Sequence, residues 1–105
     1  MTNALADEAR ALLCAEYHGV LATLSVAMGG YPHGSVVPYC LDYHGQPIIL
    51  ISRLAQHTKN IAADARVSLL VSAGGADDVQ TAARLSVMAD AEVPGELPQV
   101  KEVFV

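Results

Sequence analysis

The sequence predicts a small, mainly β domain: an antiparallel barrel with flanking helices. Short segments rich in Val, Ile, Leu and Thr alternate with turn residues along the chain. The segment from Pro47 to Val71 changes its apolar period at Ser52 and again at Arg66, which indicates a strand, a short helix and another strand. A chain of 105 residues has room for one hydrophobic core, so we expect a single domain over residues 1–105.

The composition limits the partners of the protein. Apolar residues make up 52% of the chain and charged residues 16%, with one Phe and no Trp, so the core is built mainly from Val, Leu, Ile and Ala. A net charge of −5 and a pI of about 5.1 argue against nucleic-acid binding through a basic face. The low charge fraction indicates self-association. No apolar run reaches transmembrane length and acids precede the first base, so we expect no membrane partner and a cytoplasmic location.

Metal and thiol chemistry are not indicated. Cys14 and Cys40 form no C-x-x-C pair, and the four histidines show no ligand spacing, so we predict no metal site. We interpret the cysteines as two buried free thiols, with a single disulfide between them as the alternative.

The first half of the chain is predicted to contain one helix and two strands. The helix covers residues 3–17 with Thr2 or Asn3 as its cap, and the strands cover 19–27 and 33–42. Pro38 interrupts the second strand. Because proline cannot donate to a sheet, we expect Pro38 at an edge, a bulge or a gap that faces a ligand.

The second half continues with a strand over 48–51, a helix from Leu54, a strand over 66–71, a polar loop over 72–81, a strand over 83–93 and a helical start at 97–105. The predicted buried face of the middle helix comprises Leu54, Thr58, Ile61, Ala62 and Ala65. Sequential antiparallel pairing is the most economical topology for these strands.

The junction before the middle helix is a candidate anion site. A helix N-terminus offers backbone N–H groups without intrahelical partners, and its dipole favours a negative charge. Ser52, Arg53, His57, Thr58 and Lys59 place hydroxyl and cationic groups beside that end. The alternative is an ordinary turn whose polar residues face water.

Four stretches resemble a known family. GVLATLS, GYPHGSVVPY, PIILISRLAQHTKNIAADARVSLLV and ARLSVMADAEV are similar to the split-barrel flavin-binding proteins related to pyridoxamine 5′-phosphate oxidase, and most similar to the haem-utilisation branch. The resemblance implies an antiparallel split β-barrel, a homodimer, and FMN at the dimer interface. It places the flavin ring along Gly34, Ser35, Val36, Val37, Pro38 and Tyr39. It places the phosphate near Ile51, Ser52, Gln56, His57 and Lys59.

The chain departs from the oxidase pattern at its basic positions. Gly34 and Tyr39 replace basic residues at the ends of the second-strand motif, and Gln56-His57 replaces an Arg-Lys pair. Phosphate neutralisation would then rest on Lys59, Arg53 and His57, and on Arg66 or Arg84 of the partner subunit. Members of this branch continue beyond such a chain, so we interpret it as a shortened relative or a piece of a longer protein.

Three functions are consistent with these features. The first is an FMN-dependent oxidoreductase, in which the flavin carries the electron chemistry because no dedicated acid or base is evident. The alternative is a non-catalytic haem- or flavin-binding protein of haem and iron utilisation, with His33, Tyr43 and His44 in turns that could approach iron. A turn histidine is more typically plain surface. The third is a scaffold that kept the dimer and lost its cofactor.

Overall fold

The computed structural model describes residues 4–74 and 82–92. It contains two helices and six strands: α1 (Ala4–Ala15), β1 (His18–Leu24), β2 (Pro32–Pro38), β3 (Cys40–Leu41), β4 (Pro47–Ile48), α2 (Gln56–Ala63), β5 (Arg66–Ser72) and β6 (Arg84–Asp90). Four strands form one sheet in the order β2-β1-β5-β6, and β3 pairs with β4 in a second, two-stranded sheet. The predicted class, mainly β with flanking helices, is confirmed.

Strand pairing is antiparallel throughout the described sheets. The β1–β2 hairpin follows the predicted sequential order. β1 also pairs with β5, so that Leu21 lies opposite Leu69, and this partner is not adjacent along the chain. The β3–β4 hairpin and α2 lie between β1 and β5 in sequence. Because β3 and β4 are short and pair with each other, one edge of β1 is free to pair with β5, a longer strand with mostly apolar residues at the paired positions.

The core lies on one face of the four-stranded sheet. Inward side chains alternate along the strands, and the buried set comprises Leu13, Leu21, Val37, Tyr39, Leu69 and Val71. The helix α1 contributes Leu13 to this core. On the outward face Val20, Val36, Leu70 and Met88 remain 40%, 74%, 41% and 81% exposed. One side of the sheet is therefore packed and the other is open and apolar.

Tyr39 joins α1 to the sheet. Its hydroxyl donates to the carbonyl of Leu13 at 2.7 Å, and its backbone N–H donates to Tyr17 at 2.9 Å. The strand predicted over 33–42 is divided at Tyr39 into β2, which pairs with β1, and β3, which pairs with β4. Pro38 closes β2, an edge strand of the described sheet, as predicted.

Three local predictions are wrong. The third strand was expected over 48–51, but β4 ends at Ile48 and the Leu50 side chain is exposed. The middle helix begins at Gln56 instead of Leu54, which is 85% exposed. The buried face of α2 centres on Asn60, which is fully buried through hydrogen bonds that an apolar pattern does not reveal.

Other predictions meet the structure only in part. Both cysteines are free, but Cys14 is exposed and only Cys40 is partly buried, where burial raises the pKa of its thiol. The predicted cap at Thr2 or Asn3, most of the loop over 72–81 and the helical start at 97–105 lie outside the described residues. In the described part of the chain, neither helix has the length and apolar character needed to cross a membrane.

Candidate functional site

Ser52 organises the turn that leads into α2. Its carbonyl accepts the backbone N–H of Ala55 at 3.2 Å and the hydroxyl of Thr58. Its own hydroxyl accepts the N–H of Leu54 at 3.2 Å and keeps its proton free to donate elsewhere. The turn is therefore fixed by local hydrogen bonds, and Ser52 sits in it as an exposed residue.

The amino-terminal end of α2 carries no side-chain cap. The N-cap residue is Ala55, in an extended conformation, and no side chain hydrogen-bonds to the cap. Alanine cannot accept the N–H groups that Ser, Thr, Asp or Asn would satisfy at this position. The N–H groups of Thr58 and Lys59 donate to the Ala55 carbonyl. The N–H groups of Gln56 and His57 and the positive end of the helix dipole therefore remain for an anion.

His57 and Lys59 leave α2 on different sides. Two positions along a helix are about 200° apart around its axis. Nε2 of His57 is buried and has no hydrogen-bond partner among the described residues, whereas Lys59 is exposed, as is Arg53. A buried ring nitrogen without a partner is costly, and a ligand or a second protein chain can supply one. The two side chains thus offer separate contacts at the helix start, not a single cluster.

Gln56 contacts Asn60 instead of an open site. Its Nε2 donates to Oδ1 of Asn60 at 3.0 Å. The same Oδ1 accepts the N–H of Val26 at 3.0 Å, and Nδ2 of Asn60 donates to Oγ1 of Thr23, also at 3.0 Å. This set of residues, Asn60, Gln56, Thr23 and Val26, is called the Asn60 network below. The sequence does not reveal this network, because residue spacing cannot predict that a polar side chain is buried with its hydrogen-bond partners.

The second-strand residues divide between core and surface. Val37 is 2% exposed in the core, Val36 projects outward, Ser35 is half-buried and Pro38 is exposed. Because β2 is an edge strand in the described sheet, alternate residues direct N–H and C=O groups away from β1. A flat ligand beside β2 could use these backbone groups together with outward apolar side chains. Ile51, predicted near the phosphate, is half-buried.

The turn residues considered as iron ligands are not gathered together. Asp42 accepts the N–H groups of His44 and Gln46 at 2.8 and 2.9 Å, which fixes the β3–β4 turn and leaves Tyr43 fully exposed. His33 lies on β2 and is half-buried. Within residues 4–74 and 82–92, no three His, Cys, Asp or Glu side chains lie close enough to hold a metal ion.

A groove on the outward face of the sheet was not predicted. It has a volume of about 550 Å³ and crosses β1, β5 and β6, with Pro32 of β2 at its margin. Its walls include Ala22, Leu24, Pro32, Ser68, Met88 and, at one end, Arg66 and Asp90. Small residues at outward strand positions, such as Ala22 and Ser68, are the sequence signal for this groove. Of the residues predicted to contact the cofactor, only Arg66, expected to act from the partner subunit, is among the lining residues.

Arg66 is already paired with acids. Its Nε and Nη2 contact the two carboxylate oxygens of Asp64 at 3.0 and 2.6 Å, and Asp90 lies opposite in the β5–β6 register. The hydrogen bond from Arg66 lowers the pKa of Asp64 to about 2, and the same pair raises the pKa of Arg66. The positive charge of Arg66 is therefore largely matched within its own chain.

Comparison with known proteins assigns a family. Residues 5–104 match the family model described as pyridoxamine 5′-phosphate oxidase. The non-canonical heme oxygenase HOZ, chloroplastic, of Arabidopsis thaliana is 37% identical over 93 residues, which is 89% of this chain and 28% of that protein. A heme binding protein from Mycobacterium smegmatis superposes with a TM-score of 0.84 at 32% identity, over 96% of this chain and 41% of that one.

A third similarity concerns the fold alone. HutZ, the heme storage protein from Vibrio cholerae, matches with a TM-score of 0.72 at 22% identity, over 92% of this chain and 68% of its own. The chain spans less than half the length of the plant relative and of the mycobacterial structure. These matches confirm the resemblance to the split-barrel proteins and the fold class drawn from it.

The Asp64–Arg66 pair predicts a measurable titration. Because the folded pKa of Asp64 lies below the unfolded value, the stability contributed by the pair is present above about pH 4 and is lost as pH falls toward 2. We expect Arg66→Met to return the pKa of Asp64 toward the ordinary aspartate value of 3.8. Carbon-detected NMR titration of the carboxylate measures both values, with Arg10→Met as the control. An unchanged Asp64 titration in Arg66→Met would contradict this assignment.

Proposed function

The chain belongs to the pyridoxamine 5′-phosphate oxidase family, and on that premise we propose that it binds FMN, with the phosphate at the start of α2 and the ring along β2. The observation that carries the proposal is the start of α2, which has no side-chain cap and lies beside the unpartnered, buried Nε2 of His57. An FMN phosphate would supply acceptors for these groups. The donors present therefore fit the cofactor.

Each predicted residue has a role in this proposal. The hydroxyl of Ser52 donates its proton to a phosphate oxygen, while its oxygen still accepts the N–H of Leu54. Lys59 and Arg53 supply positive charge from the exposed side, and His57 contributes from the buried side. One amide hydrogen of Gln56 donates to Oδ1 of Asn60, and the other is available to the phosphate. Fewer cations than in the oxidase pattern imply weaker phosphate binding.

Along β2 the ring would be held mainly by backbone. The Tyr39 N–H donates to the Tyr17 carbonyl, so in the same register the N–H and C=O groups of Ser35 and Val37 face β1. Val36 lies between them and directs its own N–H and C=O groups toward the free edge, and Val36 and Pro38 also offer apolar side chains there. When bound, FMN supplies the electron-transfer chemistry. The protein's part is to orient the ring and to keep water from one of its faces. We therefore propose a flavin-dependent oxidoreductase.

A second candidate is a haem-binding protein of haem utilisation. It is favoured by two relatives that are more than 30% identical to this chain, a heme oxygenase and a heme binding protein. The outward groove gives such a ligand a place, since about 550 Å³ lies within the usual range of cofactor sites and its walls are partly apolar. The missing basic residues of the phosphate site also favour this candidate over FMN.

Absorption spectroscopy separates the two candidates. We expect the purified protein to bind FMN in a titration, with shifted flavin bands and quenched flavin fluorescence. A Soret shift on adding hemin, without any response to FMN, would support the haem candidate and contradict the proposal. No response to either compound would leave the protein as a scaffold without cofactor.

Lys59→Ala tests the phosphate site. Charge-assisted hydrogen bonds are worth about 1.5–3 kcal/mol, so the substitution is expected to weaken FMN about tenfold or more. Stability should change little, because Lys59 is exposed. Arg10→Ala on α1 is the control, since it removes the same charge elsewhere. Equal FMN affinity in the two variants would remove Lys59 from the site.

We also propose a homodimer formed through the outward face of the sheet. Four outward residues, Val20, Val36, Leu70 and Met88, are exposed in one copy, in a chain with only 16% charged residues. Exposed patches of this kind mark interaction surfaces. A second copy is the occupant that the overall apolar composition favours, because obligate interfaces are more apolar than ordinary surface.

Charged substitutions on this face are expected to separate the copies. Light scattering of the wild-type protein should give twice the 11.0 kDa mass of one chain. Leu70→Glu or Met88→Glu should lower the measured mass toward that of the monomer. Leu5→Glu, at an exposed position on α1, is the matched control and should leave the mass unchanged. A monomeric wild-type protein at micromolar concentration would overturn the dimer.

A further inference from the structure

The Asn60 network is the most buried polar cluster in the described part of the chain. Asn60 is 0% exposed and Thr23 is 2% exposed, and they belong to α2 and β1. Oδ1 of Asn60 accepts two hydrogen bonds and Nδ2 donates one, all at 3.0 Å. Such a side chain is stable in the interior only while its partners stay in place.

The partners lie on three different parts of the fold. Thr23 is on β1, Val26 is in the hairpin turn after β1, and Gln56 is the first residue of α2. The turn itself is closed by Ser25, whose N–H donates to the Tyr31 carbonyl at 2.8 Å and whose hydroxyl accepts the Met28 N–H at 3.0 Å. One amide group therefore ties the start of the helix to the strand and to its turn.

Helix α2 also has an apolar contact with the core, through the partly buried Ile61. Helix α2 has eight residues, too few to be stable alone, and Asn60 is its one buried member. The neighbouring residues, His57 and Lys59, carry the contacts proposed for the phosphate. We propose that Asn60 is the positioning residue of this site: through Thr23 it sets where the start of α2 stands relative to β1 and β2. The proposal rests on the proposed FMN function.

Thr23 is the better position for a test, because truncating Asn60 itself could prevent folding. Thr23→Val keeps the shape of the side chain and removes the oxygen that accepts from Nδ2 of Asn60. Thr23→Ser restores that oxygen and is the rescue variant. Leu13→Ala is the control for a general loss of stability, because Leu13 is a core residue of α1 and lies outside the Asn60 network.

FMN affinity measured where every variant is fully folded decides the functional part. We expect Thr23→Val to weaken FMN about fivefold or more, and Thr23→Ser and Leu13→Ala to stay within about twofold of wild type. Unchanged affinity in Thr23→Val, or an equal loss in Leu13→Ala, would overturn the positioning role.

Amide hydrogen exchange gives a readout that does not need the cofactor. In Thr23→Val we expect faster exchange in α2 and at Val26, with unchanged exchange in β5 and β6. A uniform increase across the sheet would contradict the proposal. If the wild-type protein binds no FMN, the proposed function fails. The exchange pattern then decides by itself whether Asn60 places the helix.

Discussion

The buried amide of Asn60 is the interaction on which the arrangement of the candidate site depends. Beside the partly buried Ile61, it holds a short helix against β1 and the turn after β1 by two hydrogen bonds, to Thr23 and from Val26, and a third hydrogen bond joins it to Gln56 within the helix. A hydrogen bond contributes only about 1 kcal/mol on balance, but a buried amide left without partners costs more, so the network favours a single placement of α2. In this proposal the Asn60 network sets the positions of the residues that contact the phosphate.

The sequence predicted the parts of the fold that obey periodicity. The change of period at Ser52 and at Arg66 gave a helix between two strands, and the runs rich in Val, Leu and Thr gave the strands β1, β5 and β6. It failed for α2, where Leu54 was taken as buried and Asn60 as peripheral. Hydrophobic periodicity cannot identify a polar residue that is buried because two groups distant in sequence, Thr23 and Val26, bind it.

Tertiary pairing was equally beyond local rules. The partnership of β1 with β5 joins residues that are 46 to 50 positions apart, from Ala22–Ser68 to Val20–Leu70, a separation that no spacing argument encodes. The groove depends on small outward residues of several strands lying side by side, and it becomes visible only when the sheet is assembled. For the candidate site, the sequence supplied the chemistry of the α2 start, and the structure supplied its missing cap and the buried Nε2 of His57.

The two candidate functions place a cofactor at different locations with different chemistry: donors and cations at the α2 start, and a partly apolar sheet face at the groove. Amide chemical-shift mapping by NMR during an FMN titration tests the account most directly. If FMN binds as proposed, the amide chemical shifts of Ser52, Gln56, His57 and Lys59 change, together with those along β2 from Ser35 to Val37. Shifts confined to the groove, at Ala22, Ser68 and Met88, would contradict it.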